Sequence, residues 1–380
     1  MVLNEIVTAI GANADQSWRQ IRRIDGLTGW VSSKYLVPAP DVPPPPPEEP
    51  PGDETGNWYR VTGARLNVRA EPNMTSRAIG YLSRNEVVEA LSASADKTWI
   101  RFRRVDGFTG WASTNFLVNV SKSPASIMQN VFKGVTYFRN ERTTPRRVVW
   151  HILTIDLHTE GIRFLVTPPL RQNLPPLCTR KTSDFLAGYG MQIAINGDGF
   201  YYLDPSKYNP QSYCPDGGDP IRLIGYAASR GTVYAEKAPG HPILFINQRN
   251  EITFDAPKGQ VFNAISGDRM LVEKGKKVGS LEATRFDPRT ALGINQNGRW
   301  LYLVVVDGRE FSEGVSFDEL AGMLISAGAY TGMALDGGGS STMVIEGVDG
   351  KPRVLNTLID ENVPGRERAV ANHLGIALKK

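Results

Sequence analysis

Residues 335–344 read LDGGGSSTMV, directly behind Met333-Ala334, so an apolar strand runs straight into three consecutive glycines. Glycine loses more backbone entropy on folding than any other residue, so three together cost stability. What they permit is close approach of bare backbone N–H groups to an anion, a nest of the kind that holds phosphate. With Asp336 before them and Ser340, Ser341 and Thr342 after them, Gly337, Gly338 and Gly339 read as a ligand cradle. A tight turn without a ligand is the plainer reading. The spacing is not G-x-x-x-x-G-K, which rules out a nucleotide P-loop.

Three further glycine turns stand where strands should end: Asn196-Gly-Asp-Gly-Phe200, Ser266-Gly-Asp-Arg269 and Asp307-Gly-Arg309. Around them the chain alternates short apolar runs with turn residues. Val148–Leu157 and Ile162–Pro168 read as a strand pair about His158–Gly161, and His241–Ala256 as a hairpin turning at Asn250. Thr290–Gly308 reads as a second hairpin, with Asn297-Gly298 suited to a type I′ turn. One helix is clear from Phe317 to about Ala327, with a Ser316/Glu319 capping box, an apolar face and Gly328 as its stop. A second is expected near Asp184–Gly188, before a strand over Met191–Ile195. The expected fold class is α+β and strand-dominated over residues 123–380.

Composition narrows the function. The 380 residues are 41% hydrophobic and 22% charged, with 38 Gly and 26 Pro, as in a turn-rich globular protein. A net charge of +4 is too small for a dedicated nucleic-acid binder, and no apolar run approaches the ~20 residues of a membrane span. The cysteines, Cys178 and Cys214, are read either as one disulfide or as two reduced thiols. The four histidines show no metal-ligand spacing, so no metal site is assigned.

The N-terminal third repeats itself. WRQIRRIDGLTGWVSSKYLV at 18–37 returns as WIRFRRVDGFTGWASTNFLV at 99–118, with 11 of 20 positions identical. Between the copies, residues 38–57 hold nine prolines, a semi-rigid polyproline spacer of roughly 40 Å or, less simply, a ligand for a proline-binding partner. The first copy lacks a counterpart of Ala64–Leu82, so residues 1–37 are expected to be a truncated module that cannot close. MVLNEIVTAIG has neither the basic nor the long apolar region of a signal peptide, as a truncated start would explain. LNVRAEP at 66–72, followed by the Trp99–Trp111 pattern, resembles bacterial SH3 domains. That resemblance implies small all-β barrels and a cell-wall partner for residues 58–120. Arg101, Arg103 and Arg104 with Trp99 and Trp111 read as a cationic aromatic groove, the alternative being a barrel core beneath a solvated face.

NGDGF (196–200), SGDRMLVEKGK (266–276), FDPRTALGI (286–294), VVVDGR (304–309), LDGGGSSTMV and RERAVANHLGI (366–376) occur in the order seen in the phosphodiester glycosidase family, which this stretch resembles. The resemblance implies hydrolysis of the sugar C1–O bond in a sugar-1-phosphate diester. An anionic diester needs cations and N–H donors, which Arg289, Arg309, Arg368 and the Gly337–Gly339 loop would supply. It also needs a carboxylate beside an oxocarbenium-like centre. Asp307 and Asp336, each closing an apolar strand, are the first choices for catalysis beside Arg289. Asp198 and Asp268 come next. Asn196, Asn372, Ser340 and Ser341 are expected to bind substrate. Where the family shows N-G-G, this chain has Asn196-Gly197-Asp198, and Asp268 replaces a small residue; unless a cation or sugar hydroxyls meet them, these acids would repel the diester. A divalent cation has no ligand motif to support it, and no cofactor is assigned.

The expected function is therefore a secreted hydrolase of a cell-wall or extracellular polysaccharide, anchored by SH3 modules. Its alternative is a non-catalytic glycan- or wall-binding protein. A cysteine peptidase built on Cys178 is disfavoured, since Pro175-Pro176 rather than a catalytic motif precedes that residue.

Overall fold

The computed structural model describes residues 8–22, 28–36, 57–121, 124–169, 177–254 and 256–379. The proline linker, but for Asn57, and parts of the first repeat lie outside the described residues. The chain divides into two compact units, Met1–Glu54 and Thr55–Lys380. In the first, Thr8–Ala12, Trp18–Arg22 and Thr28–Ser32 form an antiparallel sheet. Trp18 is 47% exposed there, whereas its repeat counterpart Trp99 in the second unit is 7% exposed.

The second unit opens with a seven-stranded antiparallel sheet from Asn57–Val61 to Leu117–Ser121, curled over Val61, Leu66, Val68, Leu82, Ile100 and Phe102. Of the groove residues expected here, Trp99 is buried and Arg101 stands opposite Trp111 across the two strands. Arg103 pairs with Glu89 at 2.9 Å, and Arg104 turns away to pair with Asp106 and to donate to the Asn130 carbonyl at 2.8 Å. Gln129 completes this junction: its Nε2 donates to the Val87 carbonyl and its Oε1 accepts from the Val105 N–H, both at 2.8 Å. Buried polar groups satisfied in this way fix one packing of the barrel on the domain behind it.

That domain is built on two facing antiparallel sheets. The larger runs Ser126–Phe132, Val135–Arg142, Val148–Asp156, Trp300–Val306, Arg289–Ile294, Thr331–Ala334, Arg269–Glu273 and Lys276–Lys277. The smaller runs Arg163–Val166, His373–Ala377, Ile193–Asn196, Met343–Glu346 and Pro352–Val354. Leu153, Leu303, Val305, Ile193, Ile195 and Leu374 fill the space between them. Helix Phe317–Ala327, with its capping box and Gly328 stop, covers the outer face of the larger sheet through Leu320 and Leu324. Helix Thr182–Tyr189 covers the smaller one through Phe185 and Leu186. The domain is α+β and dominated by strands.

Two local expectations need correcting. Val148–Asp156 and Arg163–Val166 are strands but not partners, because both edges of the first are taken by Val135–Arg142 and Trp300–Val306. The second crosses to the smaller sheet and pairs with His373–Ala377. The Asn297-Gly298 turn is not type I′, for only Gly298 has positive φ, at 70°, and its N–H donates to the Asn295 carbonyl at 3.1 Å. The hairpin it closes, Arg289–Ile294 with Trp300–Val306, forms as read.

Cys178 and Cys214 form a disulfide across 36 residues. It ties the small sheet of Leu177–Cys178, Pro220–Leu223 and Phe200–Tyr202 to the turn after Tyr213. Closing a loop of that length removes denatured-state entropy worth about 3–4 kcal/mol. Cys178→Ser should therefore lower the unfolding free energy by about that amount. Denaturant unfolding with and without reductant checks this, since reductant should abolish the difference between the two proteins.

Candidate active site

All four glycine turns reach a single cleft of about 320 Å³, among their residues Asp198, Asp268, Arg309 and Asp336. The strands explain why. Ile193–Asn196, Asn263–Ser266, Trp300–Val306 and Thr331–Ala334 each run directly into one of these turns, so the glycine segments meet at one end of the sheets.

Five arginines line the cleft, and three of them lie on the glycine loop. A Cβ at Gly338 would stand 2.9 Å from Arg309 Nη2, one at Gly339 2.8 Å from Arg368 Nη2, and one at Gly337 3.6 Å from Arg289 Cδ. The glycines thus let three guanidinium groups pack against bare backbone. The loop is not the open nest expected from sequence. Gly337 N–H donates to the Asp336 carboxylate at 2.9 Å, Gly338 N–H to the Pro288 carbonyl at 2.8 Å, and Thr342 N–H to Asn196 Oδ1 at 3.1 Å. The cationic character of the site comes from side chains.

Carboxylates hold these arginines in place. Asp287 takes Arg285 Nε at 2.7 Å and Arg309 Nη2 at 3.2 Å, with Arg289 Nη2 4.0 Å away. Asp360 takes Arg368 Nε at 2.6 Å. Arg289 is buried. Its Nε donates to the Val315 carbonyl at 3.2 Å, and its guanidinium lies 3.9 Å from the centre of the Phe317 ring. Burial lowers its pKa, yet an arginine remains charged throughout the working range. Each guanidinium is therefore fixed along one edge before any ligand arrives.

Asp336, half-buried, is one of four carboxylates that line the cleft. Burial pushes its pKa above the ordinary aspartate value, opposed by Ser340, the Gly337 N–H and Arg368, while Asp268 adds to the rise. Asp198 is buried deeper and is also raised by desolvation. It accepts from Ser266 Oγ at 2.8 Å and from the N–H groups of Gly225 and Gly199 at 2.9 and 2.8 Å. Asp268 pairs with Arg269 at 2.6 Å. The repulsion expected from the two extra acids is thus offset by donors already in place.

Other expected residues lie elsewhere. Asp307 does not face this cleft. It lines a separate pocket of about 230 Å³, where it accepts from the Thr357 N–H and hydroxyl at 2.9 and 3.0 Å, with His151 Nε2 3.3 Å away. Asn196 and Asn372 are fully buried and hydrogen-bond within the protein. Asn196 donates to the Asp336 carbonyl at 2.8 Å and accepts from Thr290 Oγ1 at 2.8 Å; Asn372 Oδ1 accepts from the Asp198 N–H at 2.8 Å. They orient the two aspartates through their backbones. Ser340 and Ser341 are buried behind the loop, the Ser340 hydroxyl accepting from Arg368 Nη1 at 3.4 Å. His373 is buried against Phe185, its pKa lowered by desolvation to about 3, so it is a neutral core residue.

Arg269, Arg285, Asp287 and His241 line the cleft and were not assigned to it from sequence. A signal was present for two of them. Arg285, Asp287 and Arg289 alternate along an extended segment, a spacing that places all three on one side. Among the described residues, no group of three or more His, Cys, Asp or Glu side chains is arranged to hold a metal ion.

The protein is thus a β-barrel module docked on a two-sheet domain whose arginine-rich cleft is also lined by carboxylates. Residues 189–377 match the model of the phosphodiester glycosidase family, and residues 63–118 match that of the bacterial SH3 domain. The chain carries a phosphodiester glycosidase domain, of a family of hydrolases, behind a bacterial SH3 domain. It is 35% identical over 91 residues to the SPbeta prophage-derived protein YomE of Bacillus subtilis (strain 168), a match spanning 24% of this chain and 13% of that relative. Among solved structures it is similar to the catalytic domain of zebrafish N-acetylglucosamine-1-phosphodiester alpha-N-acetylglucosaminidase, with 19% identity, a TM-score of 0.48, and coverage of 68% of this chain and 86% of that one. It is also similar to a putative exported protein of Burkholderia pseudomallei K96243, with 13% identity, a TM-score of 0.45, and coverage of 86% and 92%. No helix among the described residues is long and apolar enough to cross a membrane.

Proposed function

We propose that the chain hydrolyses the C1–O bond of a sugar-1-phosphate diester in a cell-wall or extracellular polysaccharide, outside the cytoplasm, with its SH3 domains as wall anchors. The observation that carries this reading is the stacking of Arg289, Arg309 and Arg368 on three consecutive glycines beside Asp336. Three guanidinium groups fixed before binding suit a phosphodiester, whose oxygens accept from planar N–H forks. The phosphate monoester departs with the electron pair of the C1–O bond. Water adds its oxygen to C1 and gives its proton to Asp336. Phosphate is already a good leaving group, so the burden falls on orientation and on charge developing at its oxygens. The disulfide suits an oxidising compartment.

Asp336 must be ionised to accept that proton. Because burial raises its pKa, the acid limb of kcat/KM should lie above the ordinary aspartate value of 3.8, activity falling as pH falls through the raised value. A pH–rate profile on a sugar-1-phosphate alkyl diester, followed by phosphorus NMR, tests this; a limb at or below that value would remove Asp336 as the base. A non-catalytic glycan-binding protein would show no turnover with any member of a panel of such diesters.

A further inference from the structure

The mechanism makes no use of the outer face of the barrel. Four neighbouring strands of its sheet, Trp99–Arg103, Thr109–Ser113, Arg65–Arg69 and Ala78–Ser83, turn Leu66, Val68, Leu82, Ile100 and Phe102 into the core. Side chains alternate along a strand, so the residues between these point outward. The four strands hold four arginines and no carboxylate. Register sets them in order: Arg69 stands opposite Trp111, and Trp111 stands opposite Arg101 on its other side. Guanidinium, indole and guanidinium thus follow one another across three strands, the two arginines roughly 10 Å apart at the backbone. Beside this row Arg65 lies 4.2 Å from the centre of the Tyr81 ring, and Tyr81 is half exposed. Among the described residues no carboxylate pairs with Arg65 or Arg69, and Arg69 gives one N–H to the Ser76 carbonyl at 2.6 Å. Glu89, on the next strand, is taken by Arg103.

We propose that this row binds an anionic sugar-phosphate strand, with Trp111 packed on a sugar ring and Arg69 and Arg101 on the phosphates to either side. The proposal names the partner of the wall anchor in the function proposed above; it rests on that anchoring role and not on the chemistry at Asp336. Charge complementarity selects the partner. A phosphodiester chain repeats an anion on either side of an apolar ring face, and the row repeats a cation on either side of an aromatic one. Guanidinium forks match phosphate oxygens in pairs, where a single ammonium would act as a point charge. A wall peptide with free amino groups would need carboxylates to meet them, and the nearest, Glu89, already faces Arg103 at 2.9 Å. A neutral glycan would make no use of the arginines. The barrel then holds the kind of polymer that the arginine cleft is proposed to cut, rather than the peptide part of the wall.

Equilibrium binding of the full chain to a ribosyl-ribitol phosphate polymer tests the row. Its phosphates join hydroxyls other than the anomeric one, so it offers no C1–O–phosphorus bond to break. Line broadening of inorganic phosphate reads the arginine cleft in parallel. The polymer should bind and lose about tenfold or more in affinity between low and about 0.5 M salt, as a chain of phosphates does. Trp111→Ala should weaken binding about tenfold and Trp111→Phe should largely preserve it. Arg69→Gln should weaken it about threefold, and it keeps the test open if loss of the indole unfolds the barrel. Arg60→Gln removes the same charge from an exposed site on Asn57–Val61, outside the row, and should change nothing. None of the four should alter phosphate broadening. Salt-insensitive binding, or row variants that bind no more weakly than Arg60→Gln, would overturn the assignment. Peptidoglycan stripped of its anionic polymers and bound in place of the probe would keep the wall anchor and defeat the row; binding to neither would defeat both. Turnover of small sugar-1-phosphate diesters reads the hydrolase separately. Polymer binding that depends on the row in a chain without turnover defeats the hydrolase reading alone.

Discussion

Asp336→Asn should lower turnover of a sugar-1-phosphate diester on the order of 10³-fold, in the range that loss of a positioned general base produces. It should leave the fold at least as stable. The reason lies in the sign of the pKa shift. Asp336 has a folded-state value raised by burial, so its charged form is less favourable in the folded protein than in the unfolded chain. That cost is absent below the unfolded value and grows as pH rises through and above it. Asparagine has the same shape without the charge, and Gly337 N–H can still donate to its side-chain oxygen. Phosphate broadening should persist, because Arg289, Arg309 and Arg368 do not depend on Asp336 for their anchors. Melting curves at neutral pH and phosphate titration on the variant check all three parts. A variant that loses turnover together with its melting transition would point to a structural role.

Arg289→Lys is the second large effect. The substitution keeps a charge but removes the planar fork and the stack on Phe317. Arg289 is the most buried of the three arginines on the loop, with Nε on the Val315 carbonyl and Nη2 3.4 Å from the Arg285 carbonyl. A lysine ammonium cannot make both contacts and still face the phosphate. kcat/KM should fall on the order of 100-fold, as when one preorganised donor to developing charge is lost. The equivalent change at Arg103, which pairs with Glu89 on the barrel, should leave kcat/KM within error of the parent. Steady-state kinetics on both variants make the comparison.

Much of the fold was legible because its signals are local. The Ser316/Glu319 capping box, the Gly328 stop and the apolar face of Phe317–Ala327 act within a few residues of one another. Glycine turns mark strand ends for the same reason. Hairpin partners were legible, but those of Val148–Asp156 were not, since that strand chooses neighbours through core burial shared with residues far along the chain. The candidate site divides in the same way. The place of Asp307 at a strand end could be read, but not the direction its side chain takes. His151 on the adjacent strand and Thr357, which lies 50 residues on, draw it into a separate pocket. Asn196 carries the same lesson: a glycine-turn asparagine has the chemistry to bind a sugar, yet Thr290 and Thr342 occupy its oxygen.

The most direct test of the central claim is cleavage of an α-N-acetylglucosamine-1-phosphate alkyl diester, or the best substrate of the diester panel, in ¹⁸O-labelled water. Mass spectrometry and phosphorus NMR then locate the label. Attack of water at C1 puts ¹⁸O in the released sugar and none in the phosphate monoester. Label in the phosphate would mean attack at phosphorus, and it would contradict both the bond assigned to cleavage and the role given to Asp336.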